Sequence, residues 1–247
     1  MEKTKKVNLL EQFTLRNKRF RLIEEAVEIL ENHPITNVME VGSSYGDASI
    51  WMNKQYGWNV TGIDKDINHV NLAKLKAEES CSNVRFLKQD IMQELDFSYK
   101  FDLIVSEASF SLLEDKKKAV KNYHDMLNSK GKVIVNDFFV KEMSDVAAQK
   151  KVNIPCFKNM ETLHSYDEYF SCLGFNKIHQ KDYSGWLAPL ALNLKRTCAC
   201  HTHDIEEILD ESLENDAFEV VDKQISFKTF FQSVKVGYVQ IIYEKTT

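Results

Sequence analysis

The chain has 247 residues, 43% of them hydrophobic, enough to build the core of one α/β domain or of one domain with an insertion. Its 32 basic and 37 acidic side chains leave a formal charge of −5, which argues against an enzyme that grips nucleic acid through a basic face. No apolar run approaches the ~20 residues of a membrane span, no signal-peptide pattern precedes the first helix, and five cysteines, an odd count, suit reduced thiols in a cytoplasm.

In chain order, residues 9–32 place Leu9, Phe13, Phe20, Ile23, Val27 and Leu30 at helical spacing, and His33-Pro34 ends that helix. Two readings stay open for residues 1–34: a helical lid over a cofactor cleft, or a plain covering helix. Val38-Met39-Glu40-Val41 reads as a short buried parallel strand. Gly42 and Gly46 permit positive φ and close approach of a ligand, and Asp47 opens a helix running through Tyr56. Trp58–Asp64 is a second apolar strand with an acid at its tip. Residues 67–79 and 114–128 are expected helices, and Lys116, Lys117 and Lys118 read as the solvated start of the second of these. Residues 161–173 form a further expected helix, stopped by Gly174. Phe175–Tyr183 and Gly237–Tyr243 are the expected sixth and last strands. Between these two lie roughly 50 residues, more than usually join neighbouring elements. They are expected to form a helical cap at about 184–236 over the substrate mouth.

Strand, glycine turn, helix and a strand ending in an acid make the first half of a doubly wound sheet, whose ligand crevice lies at the carboxyl ends of the strands. Asp64 sits where a carboxylate accepts hydrogen bonds from two ribose hydroxyls. A dinucleotide would want G-x-G-x-x-G, but Ser44 and Asp47 stand in that stretch. An aspartate at a helix start repels phosphate. Glu40 favours a cationic group nearby. S-adenosylmethionine carries an ammonium and a sulfonium and no phosphate, and it fits that charge pattern.

These motifs resemble the class I S-adenosylmethionine-dependent methyltransferases over about residues 35–185. Glu40-x-Gly42-x-Ser44-x-Gly46 is similar to the family's first motif, with Ser44 replacing the middle glycine. Asp64 matches the ribose-binding acid, and the adjoining Lys65 joins the expected cofactor set. Val84–Ile91 resembles the third strand and its following acid, where the resemblance implies that Asp90 takes the adenine amino group and Ile91 packs on the ring. Phe101–Ala108 resembles the fourth strand, with Ser106 and Glu107 at the tip that faces the methyl group. Leu127–Asp137 resembles the turn into the fifth strand, with Lys130 in place of a glycine. The implied fold is a seven-stranded, mostly parallel, doubly wound Rossmann-like sheet whose last strand is antiparallel between strands five and six.

S-adenosylmethionine presents an activated methyl to a nucleophile lying in line with the leaving sulfur, so the protein needs chiefly to align the two. A base is required only where the nucleophile carries a proton that must leave. Glu107 is the best-placed candidate, against the plainer reading that it orders the cofactor loop. Tyr45 and His69 are further candidates near the cleft, and packing is the plainer reading for both. Ile154-Pro155-Cys156-Phe157 precedes a helix and Leu173-Gly174-Phe175, a layout similar to the arsenite methyltransferases and the quinone-biosynthesis C-methyltransferases. Cys156, Cys198 and Cys200 would make a soft three-thiolate substrate pocket, and the alternative is that they only pack. Cys198, Cys200, His201 and His203 are too crowded for a structural zinc site, and no metal is expected there.

The expected activity is methyl transfer to a small-molecule acceptor in the cytoplasm, without nucleic-acid or membrane partners. A homodimer is compatible with the composition. The competing class is a thiolate protein that binds or senses a soft metal or metalloid. A methyltransferase acting on protein or RNA is disfavoured by charge.

Overall fold

The structure is a computed structural model that describes residues 15–30, 33–143, 159–187 and 234–246. Its strands are β1 (Asn37–Val41), β2 (Asn59–Asp64), β3 (Arg85–Lys88), β4 (Phe101–Glu107), β5 (Leu127–Met143), β6 (Phe175–Asp182) and β7 (Val234–Lys245). They form one seven-stranded sheet in the order β3-β2-β1-β4-β5-β7-β6. β1 to β5 pair in parallel, and β7 lies antiparallel between β5 and β6, as expected. The order reverses between β1 and β4, so the crevice opens at the carboxyl ends of those two strands.

The helices are α1 (Leu15–Ile29), α2 (Asp47–Tyr56), α3 (Ile67–Glu79), α4 (Lys116–Met126) and α5 (Leu163–Ser171). Side-chain caps set three of their starts. The Asp66 carboxylate accepts from the Asn68 amide at 2.7 Å, Asp115 from Lys118 at 2.9 Å, and Thr162 Oγ1 from Ser165 at 3.2 Å. These caps place the last two starts two residues later than the expected 114 and 161. α2 begins after Gly46 and ends at Gly57, whose amide bonds back to the Asn53 carbonyl at 2.9 Å.

Alternation along the central strands splits the core in two. Met39, Val41, Ile104, Val133, Val135, Val239 and Ile241 pack on one face with α4 and α5 residues such as Tyr123 and Phe170. Val38, Leu103, Val105, Ile134 and Ile242 pack on the other with Ile23, Ala26 and Leu30 of α1 and Ala48 and Met52 of α2. Burying a side chain of Leu or Ile size is worth about 1.5–3 kcal/mol, so the row Ile23–Leu30 ties α1 to the sheet as a covering layer.

Lys116 corrects the expectation of a solvated lysine cluster. Lys117 and Lys118 are exposed, but Lys116 is 2% exposed. Its ammonium donates to the carbonyls of Leu113 at 2.8 Å and Asn159 at 2.7 Å, and lies 3.4 Å from Glu161. It ties the start of α4 to the segment before α5, and burial lowers its pKa below the ordinary lysine value. Residues 1–14, Cys156, Cys198, Cys200 and residues 188–233 of the expected cap lie outside the described residues.

Candidate functional site

The turn after β1 is built by backbone geometry. Gly42, Ser44 and Gly46 have φ of 72°, 47° and 78°, the left-handed region that β-carbons disfavour. Gly42 and Ser43 donate to the Ile63 carbonyl at 2.9 and 3.0 Å, and the Ser44 amide donates to Asp64 Oδ2 at 2.9 Å. The amide of Asp66 donates to Asp64 Oδ1 at 2.9 Å, and His69 Nδ1 lies 3.4 Å from the same oxygen. Asp64 therefore clamps the turn onto the tip of β2. A carboxylate offers about four acceptor positions, so two backbone bonds leave room for more.

The other expected residues line the neighbouring strand tips. Val41 pairs with Ile63 and Ser106. The Ser106 hydroxyl lies 2.8 Å from Ser109 Oγ, which donates to the Val41 carbonyl at 2.8 Å. Tyr45 meets His69 edge-on with ring centroids 5.0 Å apart and has Lys76 over its ring at 5.3 Å. Lys65 is exposed beside Asp64. Asp90 Oδ1 accepts from the Met92 amide at 2.9 Å, and Ile91, 4% exposed, joins the core beside Val41 and Ile63.

Two carboxyl groups sit at the edge of the core, Glu40 buried and Glu107 half-buried. Glu40, 3% exposed, accepts a hydrogen bond from the Ser49 hydroxyl of α2. Burial pushes its pKa up to about 7, against the pull of Ser49 and the Arg19 charge. Glu107 accepts from Tyr238 OH at 2.6 Å and from Asn136 Nδ2 at 2.8 Å. Burial pushes it up to about 8, with those two hydrogen bonds pulling down and nearby Asp137 adding to the rise.

These shifts predict an inverted stability profile. Each acid is protonated in the folded state above the pH where its unfolded form ionises, so the unfolded chain binds fewer protons between about pH 4.5 and 8. Stability is fullest below that window and falls as pH rises through it, by on the order of a few kcal/mol across both groups. Melting temperature against pH, with Glu40→Gln and Glu107→Gln flattening the curve, checks this. A curve that rises from pH 5 to 8 and is unchanged by either substitution contradicts it.

Sequence reasoning missed Asn136, Tyr238 and Gln240, and it missed Arg19. Arg19, on α1, reaches Asp47 at 3.2 Å, and its buried Nε has no hydrogen-bond partner. Ser43 Oγ, in the turn, is likewise buried without a partner. Among the described residues no group of three or more His, Cys, Asp or Glu is placed to hold a metal, and no helix is long and apolar enough to cross a membrane.

Residues 38–131, which span β1 to the start of β5, match the family model described as a methyltransferase domain. That stretch of the chain is similar to a methyltransferase domain. Over 163 residues it is 26% identical to the phosphoethanolamine N-methyltransferase of Plasmodium falciparum, covering 65% of this chain and 60% of that one. The first curated relatives are matched over 23% to 60% of their own length. Among solved structures, phosphoethanolamine N-methyltransferase 2 of Haemonchus contortus, in complex with phosphomonomethylethanolamine and S-adenosylhomocysteine, superposes with a TM-score of 0.65 at 14% identity, covering 91% of this chain and 53% of that one. The [4+2]-cyclase SpnF superposes at 0.68 with 16% identity, covering 92% and 81%. At such identities the likeness establishes the fold alone and leaves the chemistry to the site.

Proposed function

We propose that the protein transfers a methyl group from S-adenosylmethionine to a small-molecule acceptor, and that the acceptor is an amine. The observation that carries the reading is the glycine turn closed on Asp64 beside two strand tips bearing Glu40 and Glu107. The group fits the residues present. Asp64 retains acceptor capacity for the ribose hydroxyls, and the Glu40 carboxyl offers oxygen acceptors to the ammonium, whose charge would favour its ionised form. The unpartnered N–H of Arg19 offers a donor to the carboxylate. Tyr45, Lys65, Asp90, Ile91 and Ser106 remain the proposed wall of that pocket. When bound, the cofactor supplies an electrophilic methyl on a sulfonium.

An amine is protonated near neutral pH and must lose that proton before it attacks. Glu107, with a proton affinity centred near pH 8, is tuned to take it. Turnover is therefore expected to rise with pH as Glu107 ionises and to level off above about 8. The names of the relatives, phosphoethanolamine N-methyltransferases, support an amine acceptor. The metalloid alternative gains no support from the relatives, and the three cysteines it rests on, Cys156, Cys198 and Cys200, lie outside the described residues.

Labelled cofactor offered with ethanolamine, phosphoethanolamine, N-methylglycine, a catechol and arsenite tests the proposal. Label on an amine supports it. Label on arsenite moves the acceptor to the cysteines, and cofactor uptake with no transfer to any acceptor overturns the enzymatic reading. Asp64→Ala is expected to weaken cofactor binding by about 1.5–3 kcal/mol, the usual loss for hydrogen bonds to a charged group, which is roughly ten- to a hundredfold in Kd. Unchanged affinity by calorimetry removes Asp64 from the site.

A further inference from the structure

On the α1 side of the sheet, Glu107 of β4, Asn136 of β5 and Gln240 of β7 occupy one row. Glu107 pairs in register with Asn136, and Asn136 with Gln240. Leu103, Val105, Ile134 and Ile242 on the same face pack beneath α1. Asn136 and Gln240 are both completely buried. A buried amide costs free energy unless it is hydrogen-bonded, and aliphatic side chains would pack here at no such cost. Gln240 Oε1 is buried without a hydrogen-bond partner, a cost that points to a role for the row beyond stability.

Its hydrogen bonds run in one direction. Gln240 Nε2 spends one hydrogen on the Leu22 carbonyl of α1 at 2.6 Å and the other on Asn136 Oδ1 at 3.0 Å. With its oxygen so engaged, the Asn136 amide must turn its nitrogen toward Glu107 Oε2, 2.8 Å away. The hydroxyl of Tyr238, two residues before Gln240 on β7, lies 2.6 Å from Glu107 Oε1 and 3.2 Å from the Asn136 carbonyl, and the shorter contact is to the carboxyl group. Both carboxyl oxygens thus receive donors, and the chain of donors through Asn136 begins at the Gln240 amide, whose other hydrogen is held by a carbonyl of α1. Donors aimed at a carboxyl group favour its charged form, opposing the burial that favours the neutral one. The charged and titratable groups facing Glu107 are Asp137 of β5, Tyr238 of β7 and Arg19 of α1.

We propose that Tyr238, Asn136 and Gln240 are positioning residues that, anchored on the Leu22 carbonyl of α1, orient Glu107 and keep it able to ionise for the proton-transfer step of methyl transfer. The assignment rests on the amine-methylating reading given above. α1 is thereby a working part of the site as well as a cover for the sheet.

The test is a carboxyl-carbon NMR titration of the full chain labelled with ¹³C-glutamate, with Glu107 assigned by its loss in Glu107→Gln. Tyr238→Phe removes one hydrogen bond to the charged form and is expected to raise the Glu107 midpoint by about 1–2 pH units. Gln240→Leu frees the Asn136 amide to rotate and is expected to move the midpoint the same way by less. Ile242→Val, on the same strand and face, lowers the melting temperature and leaves the midpoint in place. The pH profile of turnover is displaced in step, so that below the midpoint the rate falls about tenfold for every pH unit by which the midpoint rises.

Unmoved midpoints in both Tyr238→Phe and Gln240→Leu overturn the proposal while leaving the methyl-transfer reading intact. A moved midpoint with an unmoved pH profile also overturns it, because Glu107 then takes no part in the rate. Failure of the wild-type protein to bind the cofactor by calorimetry overturns the underlying reading and the proposal with it.

Discussion

Glu107→Gln is expected to lower methyl transfer to an amine by about 10²–10⁴-fold, the usual contribution of a positioned general base, while cofactor affinity stays within a factor of about two. The substitution keeps the size of the side chain and removes its capacity to take a proton. Asn136 Nδ2 and Tyr238 OH both donate toward position 107. The glutamine oxygen can satisfy one of them, and its NH2 then faces the other donor. That misfit is local. It spares the turn from Gly42 to Gly46, which is held by Ile63 and Asp64. Single-turnover kinetics with labelled cofactor separate this outcome from a binding defect. The residual rate of the variant should also lose the dependence on pH that follows ionisation of Glu107 in the wild type. A variant with full activity and an unchanged profile removes Glu107 from the chemistry and leaves it the role of ordering the β4 tip.

The half of the molecule that binds in the proposed site was legible because its signals are local. Gly42, Gly46, Asp47 and Gly57 mark a turn and both ends of a helix within sixteen residues, and α2 and α3 fall where spacing placed them. Asp64 was legible for the same reason: an acid at the end of an apolar run is rare enough to carry meaning. The polar row was not, because its members meet across long separations. Asn136 and Gln240 lie 104 residues apart, and Glu107 and Tyr238 lie 131 apart. A faint signal was present in each strand, a lone amide inside Val-Ile-Val-Asn and Tyr-Val-Gln-Ile, but register between strands five and seven is decided by tertiary packing. Lys116 misled for a related reason. Charge runs are usually solvated, and the carbonyls that receive its ammonium come from Leu113 and the distant Asn159. Arg19 was hidden by its helix, since an apolar stripe says which face is buried and nothing about a cation at the edge of that face.

Gly42→Val is expected to abolish measurable cofactor binding and to destabilise the fold. Gly42 sits at φ 72°, and a β-carbon built there would lie 2.6 Å from Ser109 Cβ. The obstacle is therefore the segment after β4, as well as any ligand in the turn. A β-branched residue in the left-handed region costs on the order of 1–3 kcal/mol, and forcing extra carbon into a filled space costs about as much again. Ser109 cannot move aside freely, because its hydroxyl bonds the Val41 carbonyl and lies against that of Ser106. The chain relieves the strain by shifting the turn. That shift breaks the Ser44 amide from Asp64 and disorganises the acceptor that the ribose needs. The two causes can be separated. In Gly42→Ala combined with Ser109→Gly the contact is gone and the backbone strain remains, so affinity should recover only in part. Full recovery assigns the whole effect to the contact. A folded Gly42→Val protein with wild-type affinity by calorimetry would mean that the cofactor does not lie against this turn, and the reading of Glu40 to Gly46 as its cradle would fall.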